Sequence, residues 1–307
     1  MSTPKHFALA GALLENVKFA HTVFALPFAL MAMCLASGAA ASPDAGPLGR
    51  LPHWGVFALI LACMVTARSA AMTANRIFDV ELDATNPRTE RRPIVTGRLS
   101  RRAAWAFGLA NVAGFVLACA GFAWAYGNSW PLWLSPAVLA VLCGYPLAKR
   151  FTNLSHFWLG AALGLAPAGA WLATSPATLG PEAAVLAVAV LFWTAGFDIL
   201  YACQDIEPDR RAGLFAIPAR LGVPAALAIS RGCHVVTAVL LVALGLMDPN
   251  LGWIYGAGAA IAIALLAVEQ SLVRPGHLSR INVAFFTVNG VVSVTLAAFT
   301  IADVLAG

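Results

Sequence analysis

The sequence predicts an all-α, polytopic membrane protein, with about nine transmembrane helices around a central cavity in a single integral-membrane domain, residues 1–307. Of the 307 residues, 60% are hydrophobic and only 11% are charged, a balance that a water-soluble domain of this size could not solvate. Most of the apolar stretches are also long enough to cross, as helices, a hydrocarbon core about 30 Å thick. These stretches lie near residues 19–41, 54–74, 103–126, 130–147, 155–174, 182–203, 223–247, 251–272 and 281–302.

The first apolar stretch resembles a cleavable signal peptide, because Lys18 precedes it and three alanines, 39–41, end it. It is, however, longer than the roughly 7 to 15 apolar residues of a signal peptide. It also contains the polar His21 and a proline, Pro27. We therefore expect a retained transmembrane helix.

The basic residues predict the orientation in the membrane. The net charge of +5 could indicate nucleic-acid binding, but the lysines and arginines are scattered over short segments, so we expect no nucleic-acid partner. If the N-terminus is cytoplasmic, the segments on the opposite side hold only Arg50. We expect a multi-pass protein of a bacterial inner membrane, with its active site toward the cytoplasm. The cytoplasmic segments then hold Lys5, Lys18, Arg88, Arg91, Arg92, Arg98, Arg101, Arg102, Lys149, Arg150, Arg210, Arg211, Arg220, Arg274 and Arg280.

Two stripes of polar residues end two of the apolar stretches. Members of the first follow one another at intervals of four residues, and each such step advances only about 40° around a helix. Steps of seven and eleven bring the members of the second within about 20° of one another. We expect each stripe to share a helix face and the two stripes to face each other. The first stripe is Asn75, Asp79 and Asp83, and the second is Asp198, Asp205 and Asp209.

The stripes and their flanks contain eight of the fourteen acidic residues. A charged side chain costs roughly 2.5 to 3.5 kcal/mol at the centre of a bilayer, so we expect these residues at the interface or in a wet, protein-lined cavity. Carboxylates from two helices suit Mg²⁺, which takes hard oxygen ligands and completes its shell with water and phosphate oxygens. Nearby arginines would bind the remaining phosphate charge, so the implied ligand is a lipid diphosphate. Either stripe alone could instead be a solvated helix end, but two in corresponding positions favour a site.

Four polar residues within or beside the apolar stretches are further candidates for binding. Arg68 lies seven residues before the first stripe, where it could hold a phosphate or form a structural salt bridge to Asp79. Lys18, His21 and His156 lie near the expected cytoplasmic ends of two stretches. They could meet an acidic substrate, although for either histidine alone a satisfied residue at a helix end is the favoured interpretation.

Three motifs give the sequence a family resemblance. The first stripe followed by Arg92-Pro93-Ile94-Val95-Thr96-Gly97, together with Asp198-xx-Tyr201-Ala202-xx-Asp205-xxx-Asp209, resembles the paired signature of the UbiA superfamily of intramembrane prenyltransferases. The stretch from Tyr145 to Thr152 is similar to one in its 4-hydroxybenzoate polyprenyltransferase branch. The resemblance implies nine helices around a central cavity, a Mg²⁺-bound polyprenyl diphosphate, and C-prenylation of an aromatic acceptor in ubiquinone or menaquinone biosynthesis.

The resemblance also implies roles for individual residues. The first stripe would form one diphosphate–Mg²⁺ site, part of the second stripe another, and Asp198 would face the acceptor. Arg68 and Lys149 match basic positions that contact the diphosphate. The implied metal ligands are Asn75, Asp79, Asp83, Asp205 and Asp209, and the catalytic set is Asp198, Asp79 and Asp205. With the polar residues above, the expected substrate-binding set is Arg68, Lys149, Tyr201, His156, Lys18 and His21.

The acceptor remains open between two aromatic acids. Glu15 stands where the family has an arginine and Phe215 where a lysine is expected, and the segments 24–30 and 282–290 resemble a bacterial side branch that includes enzymes of the futalosine route to menaquinone. We name 4-hydroxybenzoate first and 1,4-dihydroxy-6-naphthoate as the alternative. The expected partners are thus a polyprenyl diphosphate, an aromatic acid and membrane lipid, with protein partners left open.

Two other classes of protein place acidic residues in membrane helices. A secondary transporter uses them in mid-helix to couple ions to substrate, whereas these lie at helix ends beside basic loops. A CDP-alcohol phosphotransferase carries an Asp-Gly-xx-Ala-Arg core that this sequence lacks, so it ranks below the transporter.

Overall fold

The computed structural model describes residues 5–17, 24–42 and 46–306, and in this part of the chain the protein is helical without a β-strand, which confirms the predicted fold class. Lys18 and His21, two of the predicted binding residues, lie outside the described residues. A π-helical segment, Val283–Val288, leads directly into the last helix. The helices are α1 (Lys5–Val17), α2 (Leu26–Ala40), α3 (Trp54–Phe78), α4 (Val80–Ala84), α5 (Arg101–Tyr126), α6 (Trp130–Ala148), α7 (Ser155–Thr174), α8 (Pro181–Ala202), α9 (Ile206–Arg211), α10 (Ile217–Met247), α11 (Trp253–Leu272) and α12 (Asn289–Ala306).

Eight helical segments of the described chain are long and apolar enough to cross a membrane. They are α3, α5, α6, α7, α8, α10, α11, and α12 with the π segment before it. A ninth apolar helix, α2, is shorter but packs against α7 and α12, and its Met31, Ala32 and Leu35 have no exposed surface. The protein is therefore a multi-pass membrane protein with close to the nine predicted helices.

Helix α8, which carries the second stripe, is the most buried span, and it packs closely against α7. At Gly160 of α7, a Cβ atom would lie 2.3 Å from the carbonyl oxygen of Leu191, and at Gly164 it would lie 2.6 Å from that of Ala187. Only glycine permits this approach of the two backbones, an arrangement that is common between membrane helices. The position of α8 is thus set by its packing in the bundle interior.

The polar stripes do not follow continuous helices, which corrects the expectation drawn from their spacing. Helix α3 ends at Phe78, and Asp79 (φ −98°, ψ 9°) separates it from the short α4. Helix α8 ends at Ala202, and Asp205 (φ −107°, ψ 14°) precedes the short α9. Each stripe therefore bends around a break in the helix, and the two halves of the protein share this local design.

Exposed tryptophans mark the end of the bundle opposite the stripes. Trp54 begins α3, Trp124 lies in the last turn of α5, Trp130 begins α6 and Trp253 begins α11, and each is more than half exposed. Tryptophan is enriched where a membrane protein meets the lipid–water interface. The stripes and this tryptophan belt thus lie toward opposite surfaces of the membrane.

Candidate active site

A cavity opens at the end of the bundle where α3, α6 and α8 end and α7 begins. The loop between α4 and α5 and the short helix α9 complete its walls. The structure brings both stripes together here, because all six of their members line this one cavity. Of the other predicted binding residues, Lys149, Tyr201 and His156 also line it, whereas Arg68 does not.

The carboxylates of the first stripe are paired with basic side chains. Asp79, only 2% exposed, accepts a hydrogen bond from Lys149 Nζ at 2.6 Å, and Arg150 Nη2 lies 3.4 Å from its other oxygen. Asp83 Oδ2 accepts from Arg92 Nη1 at 2.5 Å. The pairs of Asp79 join the end of α3 to the end of α6. The pair of Asp83 joins α4 to the loop between α4 and α5. Because the pairs lie at the wall of an open cavity, an anionic ligand can compete with the carboxylates for the same cations.

The second stripe holds the loop between α4 and α5 through Arg88. Asp205 accepts two hydrogen bonds from Arg88, at 3.0 Å from Nε and 2.5 Å from Nη2, and one of 2.8 Å from Asn86 Nδ2. Arg88 Nη1 also donates to the hydroxyl of Tyr201 at 3.1 Å. A bidentate arginine–carboxylate pair has a fixed geometry. The basic loop is therefore docked on α8 and presents its guanidinium group to the cavity.

Asp198 is oriented by His156 from the neighbouring helix α7. His156 Nδ1 lies 2.7 Å from Asp198 Oδ2, while His156 Nε2 accepts a hydrogen bond from the backbone N–H of Ile217 at 3.3 Å. Because Nε2 accepts, the ring proton is on Nδ1 and is donated to the carboxylate. Both ring nitrogens of His156 thus have protein partners, as in the alternative of a satisfied histidine. We therefore assign His156 to positioning Asp198 rather than to direct contact with a substrate acid.

Arg68 lies deeper in α3 than the first stripe. Its Nε is buried and has no hydrogen-bond partner, and the salt bridge to Asp79 that the sequence allowed is not formed among the described residues. Asp79 is paired instead with Lys149 and Arg150. The role of Arg68 as a diphosphate-binding residue stays a prediction.

Asp209 is the member of the second stripe that carries an unfavourable charge. The pKa of its carboxyl group is raised to about 6, chiefly by burial; the nearby Asp205 acts in the same direction, and Lys149 opposes it. No ion pair to Asp209 occurs in the described part of the chain, although Asp205 is fully paired. An added cation would stabilise such a carboxylate.

We expect Asp209→Asn to raise the melting temperature at pH 7 in the absence of divalent metal. An acid whose pKa is raised by folding lowers stability progressively between its unfolded pKa, near 4, and its folded pKa, and the loss is complete above the latter. The advantage of the variant should therefore shrink as the pH is lowered from 7 to 5. Glu207→Gln, two residues away and exposed, is the matched control. A constant difference between the variants at both pH values would contradict this account of Asp209.

The donors on the cavity wall fit a magnesium ion by their chemistry. The carboxylates of both stripes and the amide of Asn75 are hard oxygen ligands, and Mg²⁺ commonly needs only one or two carboxylates together with water and phosphate oxygens. Within the described ranges, no three His, Cys, Asp or Glu side chains converge on one point. The cation pairs of Asp79, Asp83 and Asp205 account for this, because each carboxylate is turned toward a basic partner.

Several residues of the site were not identified individually from the sequence. Arg76 lines the cavity, is only 6% exposed and donates to Asn75 Oδ1 at 2.8 Å, although it lies off the predicted stripe. Arg88 was recognised only as part of a basic loop, and Asn86 was not recognised. Their proximity in sequence to the first stripe was the available signal, but their contacts with Asp205, more than a hundred residues later, could not be read from it.

The two departures from the family pattern lie outside this network. Glu15 is half-exposed and forms a bidentate pair with Arg98, at 2.8 and 2.9 Å, which ties α1 to the loop after α4. Phe215 packs beneath the guanidinium group of Arg220, 4.1 Å from its ring centroid. Neither residue belongs to the cavity wall.

Fold and site together define a class: a polytopic helical membrane protein with a polar cavity, rich in paired carboxylates and basic groups, at one end of its bundle. The sequence model of the UbiA prenyltransferase family matches residues 25–291, and the chain belongs to this family. It is therefore an enzyme, a prenyltransferase embedded in the membrane, as the sequence predicted.

The named relatives agree with this assignment. The chain is 30% identical over 257 residues to a 4-hydroxybenzoate octaprenyltransferase from Cupriavidus necator, with 83% of each chain covered. It is 32% identical over 231 residues to one from Acidovorax ebreus, covering 73% of this chain and 74% of the relative. The structure of a UbiA homologue from Aeropyrum pernix superimposes with a TM-score of 0.79 at 33% identity, over 92% of this chain and 98% of that one.

A second group of solved structures shows the same fold at lower identity. A UbiA homologue from Archaeoglobus fulgidus, solved with GPP and Mg²⁺ bound, superimposes with a TM-score of 0.70 at 20% identity. It covers 95% of this chain and 99% of that one. This homologue thus shares the fold of the bundle described here.

Proposed function

We propose that this enzyme transfers a polyprenyl group from a polyprenyl diphosphate to the ring of an aromatic hydroxy acid of the 4-hydroxybenzoate type, in the biosynthesis of a quinone. The observation that carries the proposal is the convergence of both stripes and their cations on one cavity. The names of the curated relatives support the aromatic acceptor, and the GPP and Mg²⁺ in the Archaeoglobus homologue support the donor and the metal.

Two groups of cavity residues bind the diphosphate, one through Mg²⁺ and the other by direct contact with phosphate oxygens. Asn75, Asp79 and Asp83 on one side, and Asp205 and Asp209 on the other, would hold Mg²⁺. When bound, Mg²⁺ neutralises charge on the diphosphate and makes it a better leaving group. The basic partners of these residues, released from the carboxylates, bind the remaining phosphate oxygens. These partners are Arg88, Arg92 and Lys149, and Arg76, which donates to the amide oxygen of Asn75, adds a further positive charge to the cavity wall.

The reaction exchanges a C–O bond for a C–C bond. The allylic C–O bond breaks, the diphosphate leaves with the electron pair, an electron-rich ring carbon attacks the allylic cation, and the ring then loses a proton. Asp198 is the group we assign to the acceptor, because it is a carboxylate held in one orientation by His156 and faces the cavity. It accepts the phenolic hydrogen bond or the ring proton. The reaction also requires that water be kept from the allylic cation, which it would otherwise capture.

A membrane assay with alternative acceptors tests the substrate. Membranes containing the enzyme receive one polyprenyl diphosphate and, separately, 4-hydroxybenzoate, 1,4-dihydroxy-6-naphthoate and the decarboxylated analogue of each. We expect a product from at least one acid and a slower reaction with its decarboxylated analogue, because a carboxylate recognised by a basic group contributes binding free energy. Preference for the naphthoate would select the second acceptor and leave the chemistry unchanged. Equal rates for the phenols and the acids would contradict carboxylate recognition.

The proposed location is a bacterial inner membrane with the cavity toward the cytoplasm. The basic loop between α4 and α5 then lies inside and the end of α12 lies outside. Labelling of cysteines introduced in a cysteine-free background tests this, with Glu90→Cys and Ala306→Cys as sites, since both residues are exposed. We expect an impermeant reagent added to intact cells to modify the second site alone. Modification of both sites, or of the first alone, would contradict the orientation.

A further inference from the structure

A buried polar pair lies within the bundle, outside the cavity. Glu269 of α11 and Asn289 at the start of α12 have no exposed surface, and Asn289 Nδ2 donates to Glu269 Oε1 at 2.8 Å. A carboxyl group within a membrane helix is costly to bury, and such residues usually serve a function. The proposed reaction makes no use of Glu269.

The pair belongs to a network that reaches α8. His234 Nδ1 lies 3.9 Å from Glu269 Oε2 and 3.0 Å from Gln270 Nε2. Gln270 Nε2 donates to Ser230 Oγ at 2.8 Å, and Ser230 Oγ donates to the backbone carbonyl of Gly196 at 2.8 Å. Gly196 precedes the first member of the second stripe by two residues. The network therefore connects four helices behind the cavity, including the one that carries the second stripe.

The same amide group also supports the π-helical segment. Asn289 Nδ2 donates to the carbonyl oxygens of Ala284 at 3.1 Å and Phe285 at 3.3 Å, both within Val283–Val288. A π turn is rare because its hydrogen-bond geometry competes with that of an ordinary α-helix, and it occurs most often at functional sites. Glu269 fixes the amide of Asn289, and the amide in turn fixes two carbonyl groups of the π turn.

The π turn directs one side chain to the proposed active site. Phe285 lines the cavity, and its ring lies over that of Tyr201 with a centroid distance of 4.0 Å. The hydroxyl of Tyr201 accepts a hydrogen bond from Arg88, the guanidinium group paired with Asp205. A one-residue change of helical register turns a side chain by about 100°. A return of this segment to an α-helical register would thus turn Phe285 away from Tyr201.

We propose that Glu269 and Asn289 are positioning residues, which hold the π turn so that Phe285 supports Tyr201 and, through it, Arg88 at the diphosphate-binding side of the cavity. The inference rests on the proposed function only in the choice of ligand. Neither residue touches the substrate, and their effect is transmitted through Phe285. Loss of either weakens binding of the prenyl diphosphate more than it slows the chemical step.

A double-mutant cycle between Asn289 and Phe285 tests this transmission. The measured quantity is the affinity for a non-reactive prenyl thiodiphosphate with Mg²⁺, followed by KM and kcat. We expect Asn289→Leu and Phe285→Ala each to lower the affinity by about 10-fold. The affinity of the double variant should be no more than about 2-fold below that of the single variant with the lower affinity. Glu269→Gln keeps a carbonyl acceptor for Asn289 and should bind nearly as the wild type does.

Thr300→Val is the matched control, because Thr300 is a fully buried polar residue of the same helix whose hydroxyl donates only to Leu296. It should leave binding unchanged at a similar melting temperature. If the fold-losses in affinity of the two single variants multiply in the double variant, the proposal is overturned. It is also overturned if Asn289→Leu binds the analogue as tightly as Thr300→Val does. If Asn289→Leu does not fold, Glu269→Leu takes its place in the same cycle. Failure of the wild type to bind the analogue at all would contradict the proposed function instead.

Discussion

Asp79→Asn and Asp205→Asn should each reduce turnover by at least about 10²-fold, because each removes one charge from the proposed metal and diphosphate site. Asparagine keeps the shape of the side chain, so the loss reports the charge. In the structure both carboxylates are already paired with cations, Lys149 and Arg88. In each variant the basic side chain therefore loses its carboxylate partner and stays available to the diphosphate. We expect the affinity for the diphosphate to fall less than the turnover.

Two exposed glutamates provide controls of the same charge. Glu81 lies two residues from Asp79, and Glu207 lies two residues from Asp205, yet neither lines the cavity. Glu81→Gln and Glu207→Gln should keep turnover within about 2-fold of the wild type. If Asp79→Asn and Glu81→Gln have equal activity, the first stripe does not hold the reacting diphosphate. The corresponding comparison at Asp205 tests the second stripe independently.

Asp198→Asn should lower kcat by about 10² to 10⁴-fold, the usual contribution of a positioned general base. KM for the prenyl diphosphate should change little, because other residues hold the diphosphate. His156→Gln should have a smaller effect of about 10-fold on kcat, since it removes the orientation of the carboxylate without removing the base. Transfer of the prenyl group to the aromatic acid and hydrolysis of the prenyl diphosphate are measured in the same assay.

The outcome that contradicts this role is a preserved kcat with a raised KM for the aromatic acid. Asp198 would then bind the acceptor without taking part in proton transfer. Loss of diphosphate binding in Asp198→Asn would instead place the residue in the metal site.

The number of apolar helices and the residues of the polar cavity could be predicted from local sequence patterns. Segments long enough to cross a membrane are visible in composition alone, and intervals of four, seven and eleven residues grouped polar residues that line one cavity, although the continuous helices assumed for them are interrupted. The helix breaks at Asp79 and Asp205 could not be predicted, because neither is marked by glycine, and the proline of α9, Pro208, lies in the first turn, where proline is tolerated. Despite the breaks, every member of both stripes lies on the cavity wall.

Contacts between distant parts of the chain account for most of what the sequence did not reveal. Arg88 was one of four arginines in its loop, and nothing local distinguishes the one that pairs with Asp205. The contact of His156 with Asp198 could not be read from the sequence, because Asp198 lies forty-two residues later. His156 was therefore considered as a substrate ligand. The π turn before Asn289 has no signature in composition or periodicity. The amide of Asn289, which contacts two carbonyl groups of this turn, also donates to Glu269, which belongs to another helix.

The most direct test of the proposed function uses the purified enzyme in lipid nanodiscs, with a polyprenyl diphosphate, 4-hydroxybenzoate or 1,4-dihydroxy-6-naphthoate, and either Mg²⁺ or EDTA. Mass spectrometry and a diphosphate assay follow both products. We expect one prenylated ring to form for each diphosphate released, in the presence of Mg²⁺ and not of EDTA. Undiminished transfer in EDTA, or release of diphosphate without a prenylated ring from either acid, would contradict the account.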